Sequence, residues 1–407
     1  MTTMRSVADH LAAVLDLVAP LPVVDLAPGA AAGHVLAADL RAPERLPRWD
    51  SSAMDGYAVR RTDVAAAAPG HPVTLPVVAD LPAGSGARVV VGPGTAARIM
   101  TGAPVPEGAD AVVPVEHTDA GTATVRIDRA PAPAAHIRRA GEDVAAGDLV
   151  LRAGALLGPT QVAAAAAVNA GTVRVHRRPR VAVLSTGSEL VPAGTALAHG
   201  QLPDSNSVLL AAAAAAAGAE VVRVGSVADD LARLAEALDE AGAGADLVVT
   251  SGGVSAGAYD VVKELLRKQG VGFGPVAMQP GKPQGAGRLA DGTPVLCLPG
   301  NPVSAHVSAE LFVRPAIRRL RGLTGAGRPE VEAVADDAWT PPAGRDQYMP
   351  VALTADGGVL RARRAASGGS GSHLVAGLAG SDGLAVVPAG AGAVERGATL
   401  RILRTDT

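Results

Sequence analysis

The chain's 407 residues exceed what one hydrophobic core organises, so two to four domains are expected. With 36 Lys and Arg against 39 Asp and Glu the net charge is -3, which lacks the basic excess that nucleic-acid binding needs. The single cysteine, Cys297, excludes a disulfide framework and a Cys-rich zinc site and points to a reducing compartment, the cytoplasm, while the most apolar run, 208–217, is about half the roughly 20 residues of a membrane span.

In chain order, Val7, Leu11, Val14, Leu15 and Val18 share one helical face, and Ser6 with Asp9 three residues on supplies an N-terminal cap. From 46 to about 139 short apolar runs are broken by Pro and Gly, the pattern of a small β-rich module. A strand at 148–152 then precedes a helix opened by Gly158, Pro159 and Thr160 and stopped at Gly171. This helix is expected to pack on the N-terminal one, which makes the β module an insertion.

From 180 to 320 strands and helices alternate: strands 181–185, 220–225 and 246–250, and helices 207–217, 230–241 and 260–269. Alternation of this kind predicts a parallel sheet covered by helices. A hairpin-like 289–294, a strand at 295–298 and one long helix from 302 to 321 follow. After Gly322, turn-punctuated strands predict a C-terminal β-barrel or sandwich of about 80 residues.

In an open parallel sheet ligands sit at the carboxyl ends of the strands. Three strand ends here carry glycine with small polar residues: Ser185-Thr186-Gly187-Ser188-Glu189, Thr250-Ser251-Gly252-Gly253-Val254-Ser255, and Leu298-Pro299-Gly300-Asn301-Pro302-Val303-Ser304. Glycines let backbone N–H groups converge on an anion, so the three loops predict a cradle for a phosphorylated ligand. Glu189, Asp229, Asp230 and Asp260 lie beside it and would repel phosphate unless a cation intervenes. Mg²⁺, which takes one or two carboxylates plus substrate oxygens, resolves the conflict. Helix N-capping is the competing role for Asp230 and Asp260.

Two other motifs fail in context. Gly253-Val254-Ser255-Ala256-Gly257 matches a nucleophile elbow, but Ala256 to Tyr259 intervene before the helix that an elbow requires at once after its serine. Gly281-Lys282-Pro283 lacks the Ser or Thr that ends a phosphate-binding P-loop. The nine histidines show no metal-ligand spacing. Polar turns at 50–58, 98–110 and 138–143 complete the set of candidate segments.

Taken together, 52–59, 98–110, 139–143, 184–190, 250–260, 280–283 and 298–304 resemble the MoeA-type molybdopterin molybdenumtransferases, the family that includes the C-terminal domain of gephyrin. The resemblance implies an α/β multidomain protein. Residues 1–45 and 141–178 would form a helical N-terminal domain, 46–140 an inserted β module, 179–322 a parallel-sheet molybdopterin-binding domain and 323–407 a β-barrel domain. It implies a homodimer whose site is completed between subunits, partnership with other molybdenum cofactor biosynthesis proteins, and transfer of molybdenum from molybdate to adenylylated molybdopterin with Mg²⁺ and release of AMP. Asp55, Thr101, Asp143 and Asp260 would then be catalytic. Ser185, Thr186, Gly187, Ser251, Gly252, Gly253, Ser255, Lys282, Pro299, Gly300, Asn301, Arg345 and Ser372 would bind substrate, and Glu189, Asp229 and Asp260 the metal. One departure stands out: Pro275 and Gln279 occupy positions where some relatives carry lysines, which leaves more of the oxyanion binding to Lys282. An adenylyltransferase, a hydrolase using Ser255, and a pterin-binding carrier or scaffold without turnover remain as alternatives.

Overall fold

The structure is a computed structural model that describes residues 4–254, 261–325, 327–366 and 371–406. Helix Val7–Asp16 begins where the cap predicts: Ser6 Oγ accepts from Asp9 N at 3.0 Å and donates to Asp9 Oδ2 at 2.7 Å. Its apolar stripe does not pack on helix Pro159–Ala167. Val14 and Val18 instead join Leu210, Phe312 and Ile317 in a core, with His10 edge-on to Phe312 at 4.6 Å. Helix Pro159–Ala167 covers a separate three-stranded antiparallel sheet of Val23–Leu26, Val173–His176 and Val35–Leu36, through Ala165, Leu36 and Val175. Helices this short depend on tertiary packing of their apolar faces, and the first finds it mainly on the helical segments of 309–320, the second on its own small sheet.

The β module centres on a five-stranded sheet with the spatial order Ala111–Pro114, Gly56–Val59, Ala96–Ile99, Val73–Leu81, Thr124–Ile127. Tyr57 is fully buried in it and its hydroxyl donates to Gly121 O at 2.8 Å, so this aromatic is core and not a ligand contact.

In the α/β unit the strands Glu220–Val227, Arg180–Thr186, Leu247–Ser251 and Pro294–Leu298 lie side by side and parallel. Val181 and Val183 face one core while Ala182 and Leu184 face another, so both sheet faces are covered and the strand reads as an unbroken apolar run. The sheet is mixed, because Pro283–Arg288 and Gly272–Pro275 extend it antiparallel at one edge. The expected hairpin is present, with Leu289 N bonded to Thr293 O at 2.8 Å. The single helix expected at 302–321 is three pieces: α-helix Pro302–Ser308, a π-helical Ala309–Val313 and α-helix Arg314–Leu320. Pro315 cannot donate to the turn before it, and the wider winding falls immediately ahead of that residue.

The C-terminal strands close into a barrel. Asp346–Asp356 pairs with both Val359–Arg364 and Gly383–Val387, and Glu330–Ala335 and Thr399–Arg404 complete the ring. Its interior is filled by small and medium residues, among them Ala333, Val351, Ala362, Ala385 and Ile402. Met278–Gln279 of the α/β unit adds in parallel to Asp346–Asp356. No helix among the described residues is long and apolar enough to cross a membrane.

Candidate active site

Three neighbouring parallel strands, Arg180–Thr186, Leu247–Ser251 and Pro294–Leu298, end at the same sheet edge, so their glycine loops meet. Gly252 is the centre of that meeting. Its φ is +97°, and a Cβ there would lie 2.5 Å from Thr186 O, while a Cβ on Gly300 would lie 3.3 Å from the Cα of Gly252. The Gly252 N–H donates to Leu298 O at 3.1 Å. Close backbone approach of this kind needs glycine, which is why the sequence carries it at both loops.

The loops open onto a cleft of about 880 Å³ whose lining includes Thr186, Gly187, Glu189, Asp229, Gly252 and Gly253, with Pro299, Gly300 and Asn301 across from them. A second pocket of about 500 Å³ adjoins it and contains Lys282, Arg345 and Ser372. The two share Pro283, Asn301, Ser304 and His373, so glycine cradle and cationic pocket form one continuous site.

Ser185 departs from its expected place, and several other expected residues are engaged within the fold. Ser185 is fully buried in its strand, does not line the cleft and leaves its Oγ without a partner. Ser251 lines the cleft, but its hydroxyl is engaged by Asn206 Nδ2 at 2.9 Å and donates to Pro299 O at 3.2 Å. Ser372 accepts at its backbone oxygen from Val303 N at 3.0 Å, which docks the start of helix Pro302–Ser308. Asp230 caps helix Leu231–Gly244 by accepting from Arg233 N at 2.9 Å. Ser255 and Asp260 lie outside the described residues.

For magnesium the relevant oxygens are those of Glu189 and Asp229. Both are exposed in the cleft, where Asp229 accepts from Ser188 N at 3.1 Å and its own N–H donates to Ser188 Oγ at 3.1 Å. No cluster of three metal-ligating side chains occurs among the described residues. Two carboxylates lining one cleft with the glycine loops nevertheless match what Mg²⁺ asks of a protein, since it keeps waters and takes ligand oxygens for the remainder.

In the β module the structure brings Asp55 and Thr101 together. The Asp55 carboxylate accepts from Thr101 N at 2.7 Å and from Thr101 Oγ1 at 2.8 Å, and these bonds hold it below the usual carboxylate range. Asp143 is exposed, and its backbone N–H donates to Leu46 O at 3.1 Å. None of the residues lining either pocket comes from this module or from the segment of Asp143. Asp50, absent from the expected site, receives Ala140 N at 2.8 Å and Arg139 Nη1 at 2.5 Å and so fixes the 138–143 turn.

Sequence reasoning also missed Asn206, His373 and Asp204. Asp204 caps helix Ser205–Ala216 through Ser207 N at 3.0 Å, and the Pro203-Asp204-Ser205-Asn206 run opening an alanine-rich helix is a polar start signal that could have drawn attention to Asp204 and Asn206, whereas nothing local marks His373.

Residues 5–169 match the MoeA N-terminal region (domain I and II), 182–319 a probable molybdopterin binding domain, and 332–404 the MoeA C-terminal region (domain IV). The chain is 46% identical to molybdopterin molybdenumtransferase 2 of Mycobacterium tuberculosis over 98% of its own length and 99% of the relative's. It is 40% identical to molybdopterin molybdenumtransferase 1 of the same organism, with 97% of each chain covered. A solved molybdopterin biosynthesis MoeA protein from Pyrococcus horikosii superposes with a TM-score of 0.84 at 30% identity, covering 99% of both chains. The glycine cradle, its adjoining cationic pocket and the end-to-end likeness agree: the chain belongs to the MoeA family of molybdopterin molybdenumtransferases.

Proposed function

We propose that the chain transfers molybdenum from molybdate to adenylylated molybdopterin, with release of AMP, in molybdenum cofactor biosynthesis. The observation that carries this reading is the continuity of the two pockets: an anion cradle of backbone glycines opens directly into a pocket bearing Lys282 and Arg345. One ligand can therefore place its phosphates at Gly252, Gly253 and Gly300 while an oxyanion co-substrate sits by the cations, a proximity that lowers the entropic cost of their reaction.

Within this scheme backbone N–H groups of the cradle other than that of Gly252, which is bonded to Leu298 O, hold the phosphates, and Lys282 and Arg345 bind molybdate by charge. Glu189 and Asp229, joined by Asp260, would hold Mg²⁺, which when bound neutralises the phosphate charge that these carboxylates would otherwise repel. Asp55, Thr101 and Asp143 line neither pocket of their own chain, which supports a homodimer in which each β module completes the partner's cleft. Cys297, buried and in no disulfide, accords with the cytoplasm. Purified protein given adenylylated molybdopterin, molybdate and Mg²⁺ is expected to release AMP in proportion to molybdenum transferred. ATP-dependent adenylylation of molybdopterin, or tight pterin binding without AMP release, would replace this reading with the adenylyltransferase or the carrier.

A further inference from the structure

Asn206 is the second residue of helix Ser205–Ala216 and only 8% exposed, yet it lines the cleft. Its Nδ2 donates to Ser251 Oγ at 2.9 Å and to Gly300 O at 2.7 Å. Gly300 O can only accept, so the nitrogen must face it and the orientation of the amide is settled. One side-chain amide thus spends both hydrogens on two different strand-end loops. Its Oδ1 is left buried without a partner.

That arrangement is poor for stability, because an unmade bond to a buried amide oxygen is a net cost that an apolar side chain would avoid. The gain lies at the loops. Gly252 is wedged between Thr186 and Gly300, and Ser251, already held by Asn206, passes the connection on to Pro299 O at 3.2 Å. We infer that Asn206 is a positioning residue of the proposed reaction: its amide clamps the 251–253 and 299–301 loops at the separation that makes the anion cradle. The inference rests on reading this cleft as the site of adenylylated molybdopterin. Asn206 acts through the loops, and the helix that carries it supplies the rigid base, since Leu210 and Ala214 of the same helix are fully packed in the core.

The test compares wild type with Asn206→Ala and Asn206→Asp in the full-length protein. Hydrogen exchange at the Gly252 amide, which is bonded to Leu298 O, is measured without ligand. In Asn206→Ala it is expected to rise at least tenfold, with Tm moved by less than about 2 °C. KM for adenylylated molybdopterin is expected to rise at least tenfold with kcat within about threefold, since a cradle holds ground state and transition state alike. Asn206→Asp keeps the shape but cannot donate and sets a charge beside the phosphates, so its KM should exceed that of the alanine variant. Unchanged Gly252 exchange, or a Tm loss above about 5 °C with KM preserved, overturns the inference in favour of a purely structural residue. If wild type releases no AMP, the functional reading fails by itself, and the exchange arm still decides whether Asn206 holds the loops.

Discussion

Asp55 and Thr101, 46 positions apart in the chain, are joined by two hydrogen bonds to the same carboxylate oxygen, Oδ1. The backbone N–H contributes most to keeping this exposed carboxyl ionised, and the hydroxyl adds to it. Thr101→Val keeps the first bond and deletes the second, so the pKa of Asp55 should rise toward its ordinary value. The acid limb of the pH profile for AMP release is then expected to move to higher pH. Asp55→Asn should lower AMP release at least about 100-fold with no loss of fold, because the side chain is exposed and the amide oxygen can still accept from Thr101. A full-activity Asp55→Asn enzyme would remove Asp55 from the reaction.

Gly252→Ala should be far more damaging than an alanine at an open turn. Both Gly252 (φ +97°) and Gly194 (φ +86°) have left-handed backbones, but only at Gly252 does the added Cβ meet Thr186 O at 2.5 Å. Gly194→Ala is expected to cost about 1 kcal/mol for conformation alone. Gly252→Ala should cost more and also abolish binding of adenylylated molybdopterin, as thermal denaturation and ligand titration of the two variants would reveal.

Chelation with EDTA should stop AMP release, and added Mg²⁺ should restore it. Glu189→Gln and Asp229→Asn are each expected to raise the half-saturating Mg²⁺ concentration at least about tenfold. An unaltered Mg²⁺ dependence in both variants would move the metal site elsewhere.

His10 supplies a pH-dependent element of stability. Burial, with the nearby Arg5 charge, lowers its pKa from 6.5 to about 4, so the unfolded chain binds the proton first as pH falls. Stability should therefore be full above about pH 6.5 and decline down to about pH 4, where the folded form protonates too, a loss of about 3 kcal/mol. Urea denaturation of His10→Gln across that range should show a correspondingly shallower slope.

Glu310 and Arg328 form a two-bonded ion pair, Nε to Oε2 at 2.7 Å and Nη2 to Oε1 at 3.0 Å, with side chains 7% and 10% exposed. Arg314 and Arg318 stand close enough that burial, then the Arg328 charge, lowers the pKa of both, that of Arg314 to about 10. Glu310→Gln should cost about 3–5 kcal/mol, because it removes the acid from a group of arginines. Replacing Glu310 and Arg328 together by methionine should cost less than that.

The parts of this fold that the sequence displays are those whose signal is local. The 181–185 and 246–250 runs read as strands because both faces of the sheet are covered, and Ser6 and Asp9 announce their helix within one turn. Gly272–Pro275 and Pro283–Arg288 escaped notice because glycine and proline dominate them, and only pairing makes them strands, Pro283–Arg288 with Pro294–Leu298 and Gly272–Pro275 with Pro283–Arg288. At the site, glycines and flanking acids were visible as types in a pattern. Asn206 was not, since its role consists of reaching Ser251 and Gly300, distant in sequence; nor was the burial of Ser185, which depends on where its strand ends.

The parallel pairing of Met278 with Asp346 and Gln279 with Gln347 makes the α/β unit a lender of one short strand to the barrel. Lys282 follows three residues after the borrowed Gln279, and Arg345 directly precedes Asp346. The two cations of the pocket therefore hang from opposite sides of one seam. Any rocking of the barrel must carry both together or break that seam, so the spacing between them is a property of the joint between domains and not of either domain alone.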